Sequence, residues 1–131
     1  MKRLMFPVCL IWAALPGAVA AAETASPLPA GVDRDVFCHM LVSQVAETQD
    51  SLPDAEKAKH ARLMESVREA TSFYIGSITA RLSDAQMSDL AARANKALTT
   101  ITSDDRATAL QYCLNDAMRR ASHYADRVEA N

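Results

Sequence analysis

The C-terminal part of the chain carries the clearest helical pattern. Small and apolar residues recur there three or four positions apart, and polar or charged residues occupy most positions between them. This spacing matches one face of an α-helix, so it predicts a long amphipathic helix that packs along its apolar stripe. The stripe consists of Ala107, Leu110, Leu114, Ala117, Met118, Ala121, Tyr124, Ala125 and Val128, with Cys113 at its edge.

Two helices are predicted in the first half of the domain. Asp33 is a suitable N-cap for the first, over residues 34–49. Ser51 and Asp54 resemble a capping box that begins the second. The second helix could run on to residue 82, which is unusually long, so a kink is expected in its early turns, before residue 63.

A third helix is predicted after Ser83, which forms a capping signature with Gln86. Thr102 or Ser103 is then a suitable N-cap for the C-terminal helix. Because no stretch alternates with a period of two, no sheet is expected. The sequence therefore predicts an all-α fold, a small four-helix bundle in which the first and last helices are antiparallel neighbours.

The N-terminus has the features of a secretory signal peptide. Lys2 and Arg3 precede an apolar run, and a small-residue segment ends at Ala20. Cleavage is expected after Ala20, with Ala22 as the next choice, and the apolar run is too short for a stable membrane anchor. The predicted organisation is a signal peptide over residues 1–20, a flexible lead-in over 21–32 and a helical domain over 33–131. A periplasmic or secreted location follows.

The charge of the mature chain disfavours two classes of partner. Without residues 1–20, 12 basic and 16 acidic side chains remain, which gives a net charge of −4. Nucleic acid and anionic lipid both require concentrated positive charge. No nucleic-acid partner is expected, and no membrane contact is expected after signal cleavage.

Two cysteines remain in the mature chain, because Cys9 leaves with the signal peptide. An even number of cysteines in an exported chain indicates a disulfide, here between Cys38 and Cys113. In an antiparallel arrangement of the first and last helices, the two residues lie at nearly the same level. A bridge is therefore geometrically reasonable and should stabilise the fold by roughly 4 kcal/mol.

No catalytic or metal-binding constellation is predicted. His39 and His123 fall on polar faces, whereas His60 projects near the apolar stripe of the second helix as a packed, hydrogen-bonded residue. None has the spacing of a metal motif, and no nucleophile elbow or glycine-rich phosphate loop occurs. The sequence therefore predicts no enzyme, no metal and no cofactor.

The second helix carries the residues that most favour a partner surface. Phe73, Gly76 and Ala80 share the side of the helix opposite Tyr74, and a helical glycine costs about 1 kcal/mol relative to alanine. Close approach of another helix is the usual compensation. One interpretation is that this helix is central and packs on both sides, so that the others surround it. The other is a surface for a protein partner or for a second copy, extended by Val36 and Met40 of the first helix.

The run Phe73-Tyr74-Ile75-Gly76-Ser77-Ile78, between two distant cysteines and behind a signal peptide, resembles two families of small exported bacterial helical proteins. One comprises the periplasmic immunity proteins that neutralise type VI secretion amidases. The other comprises uncharacterised exported proteins with a Phe/Tyr-Tyr-x-Gly-Arg helix, in which arginine stands where this chain has Ser77. Small acid-stress periplasmic chaperones are similar in size and also have one disulfide, but that disulfide encloses a shorter segment. No functional residue is transferred from any of the three.

The leading functional hypothesis is an exported protein-binding module, such as an inhibitor, an immunity protein or a small chaperone. It rests on export, helicity, one disulfide and the lack of a catalytic pattern. The first alternative is a small-molecule or metal carrier with a pocket between the helices near Tyr74, Tyr124 and His60. The second alternative is an uncharacterised structural helical protein.

Overall fold

A computed structural model describes residues 28–129 of the chain. These residues form five helices and no strand: α1 (Gly31–Asp50), α2 (Asp54–Lys59), α3 (Ala61–Thr79), α4 (Asp84–Thr100) and α5 (Ser103–Glu129). The predicted all-α bundle is confirmed, with α2 and α3 together corresponding to the predicted second helix. The proposed signal peptide and most of the lead-in lie outside the described residues.

The break in the second helix falls at His60, between α2 and α3. His60 has φ −106° and ψ 12°, and its N–H donates to the carbonyl of Lys57 rather than to that of Glu56. The expected kink before residue 63 is therefore confirmed. α2 has only six residues and buries none of them, so α3 alone carries the packing face of this region.

Helix α1 begins earlier than predicted. Gly31 has a φ of +61°, a conformation that glycine adopts readily, and the helix starts there rather than at residue 34. Asp33 therefore lies in the first turn of α1 instead of at the N-cap. Its carboxylate forms an ion pair with Arg93 of α4 at 3.3 Å. The side chains of Leu28 and Val32 pack against the core and hold this earlier start.

The capping predictions had mixed outcomes. The capping box of Ser83 and Gln86 is present in both directions, and the Thr102 hydroxyl accepts the N–H of Asp105 at 3.1 Å. The box predicted for Ser51 is wrong, because its hydroxyl donates back to the carbonyl of Thr48 at 2.6 Å. The N-cap residue of α2 is Pro53, which makes no side-chain capping hydrogen bond.

The central helix is α1 rather than the predicted second helix. α1 packs against α3, α4 and α5, and α3 packs against α1 and α5. Residues 35–38 of α1 are all buried, and four consecutive helical positions span about 300° around the axis. A stretch surrounded on so many sides lacks a one-sided apolar pattern. The spacing of apolar residues therefore predicted α1 as a helix but did not identify it as the central one.

The core is formed by α1, α3, α4 and α5, and the disulfide joins α1 to α5. Cys38 and Cys113 are bonded, as predicted, with their Cα atoms 5.4 Å apart, and both are fully buried. The buried apolar residues are Val36, Phe37, Cys38, Leu41, Val42, Met64, Val67, Ala70, Tyr74, Ile78, Leu90, Ala94, Leu98, Ala109, Cys113, Leu114 and Ala117.

Candidate functional site

Two carboxylates are buried where α1, α3 and α5 meet. Asp35 of α1 is 1% exposed and Asp116 of α5 is 3% exposed. A buried carboxylate is costly unless it is paired and hydrogen-bonded. The partners of these two residues therefore determine the architecture at this end of the bundle.

Asp35 is held by α3 and α5 together. Arg120 of α5 donates two parallel hydrogen bonds to it, from Nη1 to Oδ1 at 2.8 Å and from Nη2 to Oδ2 at 3.1 Å. From α3, the Ser77 hydroxyl donates to Oδ2 at 3.0 Å, and the Arg81 guanidinium contacts the same oxygen. Asp35 thus joins α1 to Arg120 of α5 and to Ser77 and Arg81 of α3.

Asp116 shares Arg120 with Asp35. Arg120 Nη1 donates to Asp116 Oδ2 at 3.1 Å, and Arg119 Nη2 donates to Oδ1 at 2.8 Å. The Tyr74 hydroxyl donates to the carbonyl of Cys113 at 2.7 Å and lies 3.3 Å from Asp116 Oδ2. Arg120 therefore bridges the two buried acids, Asp35 on α1 and Asp116 on its own helix.

The pairing keeps both acids ionised. Burial alone would raise the pKa of Asp35, but hydrogen bonds from Arg120 and Ser77 outweigh it and lower that pKa. Burial likewise opposes ionisation of Asp116, and hydrogen bonds from Arg119 and Arg120 lower its pKa. Burial and the charge of Asp116 raise the pKa of Tyr74, so its hydroxyl stays protonated.

Four arginines surround these acids and form what we call the arginine face: Arg34, Arg81, Arg119 and Arg120. The side chain of Arg119 is 77% exposed and that of Arg81 is 45% exposed, whereas the carboxylates lie beneath them. Arg34 Nε lies 3.8 Å from Asp35 Oδ1. Four guanidinium groups against two carboxylates leave a net charge of +2, and it is the positive groups that meet solvent.

Phe73 lies between the arginine face and the end of α5. It is half-buried against the core, and the Arg120 guanidinium carbon lies 4.9 Å from its ring centre, in cation–π contact. The ring of Tyr124 is 6.5 Å away, centre to centre. Phe73 therefore joins the core, the arginine face and the last turns of α5.

Helix α5 continues beyond the packed part of the bundle. Its last buried residue is Ala117, and every residue from 121 to 129 is exposed. The apolar stripe continues regardless, with Met118 44%, Tyr124 60% and Val128 78% exposed. We call this uncovered part, formed by Met118, Ala121, Tyr124, Ala125 and Val128, the projecting stripe. The sequence placed it correctly on one face of a helix but suggested that the whole stripe would be covered.

The five residues predicted for partner binding are divided between the surface and the interior. Gly76 and Ala80 are exposed on α3, and Phe73 is half-buried beside them. Val36 is 1% exposed and belongs to the core, and Met40 is partly buried against it. A Cβ built at Gly76 would meet nothing within 4 Å, so no described residue makes the close approach that a helical glycine often permits.

The residues proposed for a carrier pocket are not brought together. Tyr74 is fully buried with its hydroxyl engaged, whereas Tyr124 is in solvent. His60 lies 14 residues before Tyr74, about 20 Å away along a helix. Among the described residues, no group of three or more His, Cys, Asp or Glu side chains could hold a metal ion.

The helical periodicity of the sequence does not reveal the buried network of Asp35, Asp116 and Arg120. Asp35 lies within the first predicted helix, and Asp116 and Arg120 fall between the apolar positions of the last. Asp116 and Arg120 are four residues apart on one helix, a spacing that permits an ion pair. That spacing was the one available signal, but it gives no indication that α1 supplies the second acid.

No described helix has the length and apolar character needed to cross a bilayer. Comparison of the chain with protein-family models, with curated proteins and with solved structures found no match.

Proposed function

We propose that this chain is an exported protein-binding module whose docking surface is the projecting stripe of α5. The observation that carries the proposal is that α5 keeps its apolar pattern after the bundle has ended. Tyr124 and Val128 are 60% and 78% exposed, and α5 buries no described residue after Ala117.

The composition of the stripe favours a protein partner. Contiguous exposed apolar side chains mark interaction sites more often than single ones do. Tyr124 offers a large apolar ring with a polar tip, and tyrosine is enriched among the residues that dominate binding energy. A partner that lays an amphipathic helix along α5 would cover the stripe with the same spacing of apolar residues.

A second copy fits this surface less well than a different protein. A stable interface needs about 800 Å² from each partner, which is more than five side chains on one short helical segment can supply. The partner must therefore also cover neighbouring surface, and the arginine face is adjacent through Phe73. A two-fold contact centred on the arginine face would place one arginine face against the other, and like charges repel.

Export is supported by the N-terminal sequence and by the cysteine pair. A charged start, a short apolar run and an Ala-x-Ala end are typical of a secretory signal. The Cys38–Cys113 disulfide is typical of oxidising compartments such as the periplasm or the extracellular space.

Photo-crosslinking tests the docking surface. The crosslinking amino acid p-benzoylphenylalanine is placed at position 124 or 128 of the full chain in its producing cell. Ile75 is the matched control, because it is an apolar residue 48% exposed on α3 and lies about 200° around that helix from Phe73. We expect one protein to be captured from positions 124 and 128, and not from position 75.

Purified proteins complete the test. Tyr124→Ser should weaken binding of the captured protein at least tenfold without changing the far-ultraviolet circular dichroism, whereas Ile75→Ser should leave binding unchanged. Crosslinks to the chain itself would show a second copy instead, and equal binding by both variants would place the interface elsewhere. Either result would overturn the proposal.

A further inference from the structure

We propose that the segment docking on the projecting stripe is a basic amphipathic helix that seats one aliphatic side chain in a notch between α3 and α5. This inference rests on the proposed function, and it adds the chemical character of the partner and its point of attachment. It is carried by a small apolar cavity that is continuous with the stripe and by the charges that border the two.

The notch opens where α3 and α5 pack against each other through alanines. Its volume is about 40 Å³, and the described residues that line it are apolar except for Glu69. Ala70 and Ala117 are buried and form its floor, and the larger, partly exposed side chains of Phe73 and Met118 border them. A space of this size takes the end of one aliphatic side chain, and anchors of this kind often dominate the energy of an interface.

The notch and the projecting stripe form one continuous groove. Ala121 lines the notch and belongs to the stripe, and Val128 lies seven residues further along α5, about 10 Å away. A docking helix of three to four turns therefore covers both, with apolar residues at positions i, i+4 and i+7. Gly76 and Ala80 are exposed on the same face of α3 as Glu69, within about 20° of it. These small residues leave room for the docking helix to approach α3.

The charges that border this groove are acidic. Glu65 and Glu69 are exposed one turn apart on α3, and neither forms an ion pair within residues 28–129. Arg62 is the next arginine along this edge, about 10 Å before Glu69 on α3. On α5, Glu129 lies about 80° around the helix from Ala121, beside the stripe. Lysine or arginine side chains on a docking helix would pair with these acids, and carboxylates would be repelled.

The arginines of α5 lie away from the groove. Arg119 and Arg127 are about 160° and about 120° around the helix from Ala121. Arg34 reaches α5 on the side opposite Ala121, where it donates to the hydroxyl of residue 112 at 3.3 Å. Arg120 is nearer, but its guanidinium is bound to both buried acids. The neighbouring surface that a basic helix covers is therefore the α3 side of the stripe rather than the arginine face.

Defined peptides test this inference without an identified partner. The probes are two fluorescent 16-residue helical peptides that share a leucine face and carry either lysine or glutamate at the remaining positions. We expect the full mature chain to bind the lysine peptide at least tenfold more tightly than the glutamate peptide at 0.1 M salt. At 1 M salt this preference should shrink, because the screening length falls from about 10 Å to about 3 Å.

Charge variants locate the basic contact. The double variant Glu65→Gln with Glu69→Gln should weaken binding of the lysine peptide about tenfold, since each exposed ion pair contributes about threefold. The matched control is Glu47→Gln with Asp126→Asn. It removes the same charge from α1 and from a side of α5 about 140° around the helix from Ala121. Its affinity should stay within about twofold of the wild type.

A substitution at the open side of the notch tests the anchor. Ala121→Leu places additional carbons over the cavity from its exposed edge. We expect binding of the lysine peptide to fall at least tenfold, with no loss of stability in urea unfolding. Ala92→Leu is the control, because it adds the same carbons to an exposed alanine of α4 and should leave binding unchanged.

Three results would overturn the inference. They are equal binding of the two peptides, including no binding of either, equal losses in the two double variants, and undiminished binding by Ala121→Leu. If the crosslinked protein depends on Tyr124 but is insensitive to Ala121→Leu and to the loss of Glu65 and Glu69, the proposed docking surface stands and its basic partner does not. If Tyr124→Ser leaves that binding unchanged, the proposed function itself fails.

Discussion

Replacing Arg120 with methionine tests the buried network most directly. Methionine keeps much of the length of the arginine side chain but removes the guanidinium group. The substitution deletes two hydrogen bonds to Asp35, one to Asp116, and the contact with the Phe73 ring. Both carboxylates then remain in the interior with fewer positive partners.

The expected loss of stability is about 3 kcal/mol. Removing one partner of a buried ion pair costs about 3–5 kcal/mol, because it leaves a buried charge uncompensated. The lower end applies here, since Asp35 keeps Ser77 and Arg81 while Asp116 keeps Arg119. For a domain of about 100 residues, each kcal/mol shifts the melting temperature by about 4 °C or more, so a shift of at least about 12 °C is expected.

The dependence on pH distinguishes this mechanism from a simple loss of packing. In the wild type the pKa values of Asp35 and Asp116 are lowered, so their stabilisation persists above the unfolded-state pKa and is lost as the pH falls through the folded-state value. Without Arg120, burial raises both pKa values relative to the wild type. The difference in free energy of unfolding between the wild type and Arg120→Met should therefore shrink as the pH falls from 7 to 4.5.

Urea unfolding followed by circular dichroism at pH 7 and pH 4.5 measures both effects. Arg68→Met is the control, because Arg68 is an exposed arginine of α3 and its loss should change stability by less than about 0.5 kcal/mol. A deficit below 1 kcal/mol at pH 7 for Arg120→Met, or a deficit of equal size at both pH values, would refute the role assigned to the network.

Three further predictions concern single features of the fold. Gly76→Ala should raise the free energy of unfolding by about 0.5–1 kcal/mol, because the added Cβ meets no atom within 4 Å; a loss in urea unfolding would contradict this. Reducing the Cys38–Cys113 bond, which closes a separation of 75 residues, should cost about 4.5 kcal/mol on the chain-entropy model, and equal urea midpoints with and without reductant would contradict it. Burial lowers the pKa of His39 below its ordinary value of 6.5, so the protein should lose stability as the pH drops through 6.5 and the unfolded chain takes up a proton first. His39→Gln should remove this contribution to the dependence of the melting temperature on pH between 7.5 and 5.5. An identical dependence in the variant and the wild type would contradict the prediction.

The helices were predictable because their signals are local. The Ser83 capping box and the pattern of Leu90, Ala94 and Leu98 were correct, since both depend on residues within two turns of one another. The disulfide followed from compartment and cysteine count. The central position of α1 could not be predicted in this way, because Asp35 and Val36 are buried on sides that a one-sided helical pattern assigns to solvent.

The candidate site was less predictable for a physical reason. A charged residue is assigned to the surface by default, because an unpaired buried charge is costly. Asp35 and Arg120 escape that rule by pairing across 85 positions of sequence, and no local pattern records such a pairing. The uncovered end of α5 was missed for a related reason, since the apolar stripe has the same spacing on both sides of Ala117 whether or not another helix covers it.

The buried network and the projecting stripe also belong together mechanically. Isolated helices of about ten residues are marginal in water, whereas extending a helix that is already formed avoids the cost of nucleation. Arg120 lies one turn before Tyr124 and ties α5 to α1 through Asp35. The turn it anchors sets the direction in which residues 121–129 leave the bundle. Arg120 thus acts on the proposed docking surface as a positioning residue, because loosening this turn would disorder the stripe without removing any of its apolar side chains.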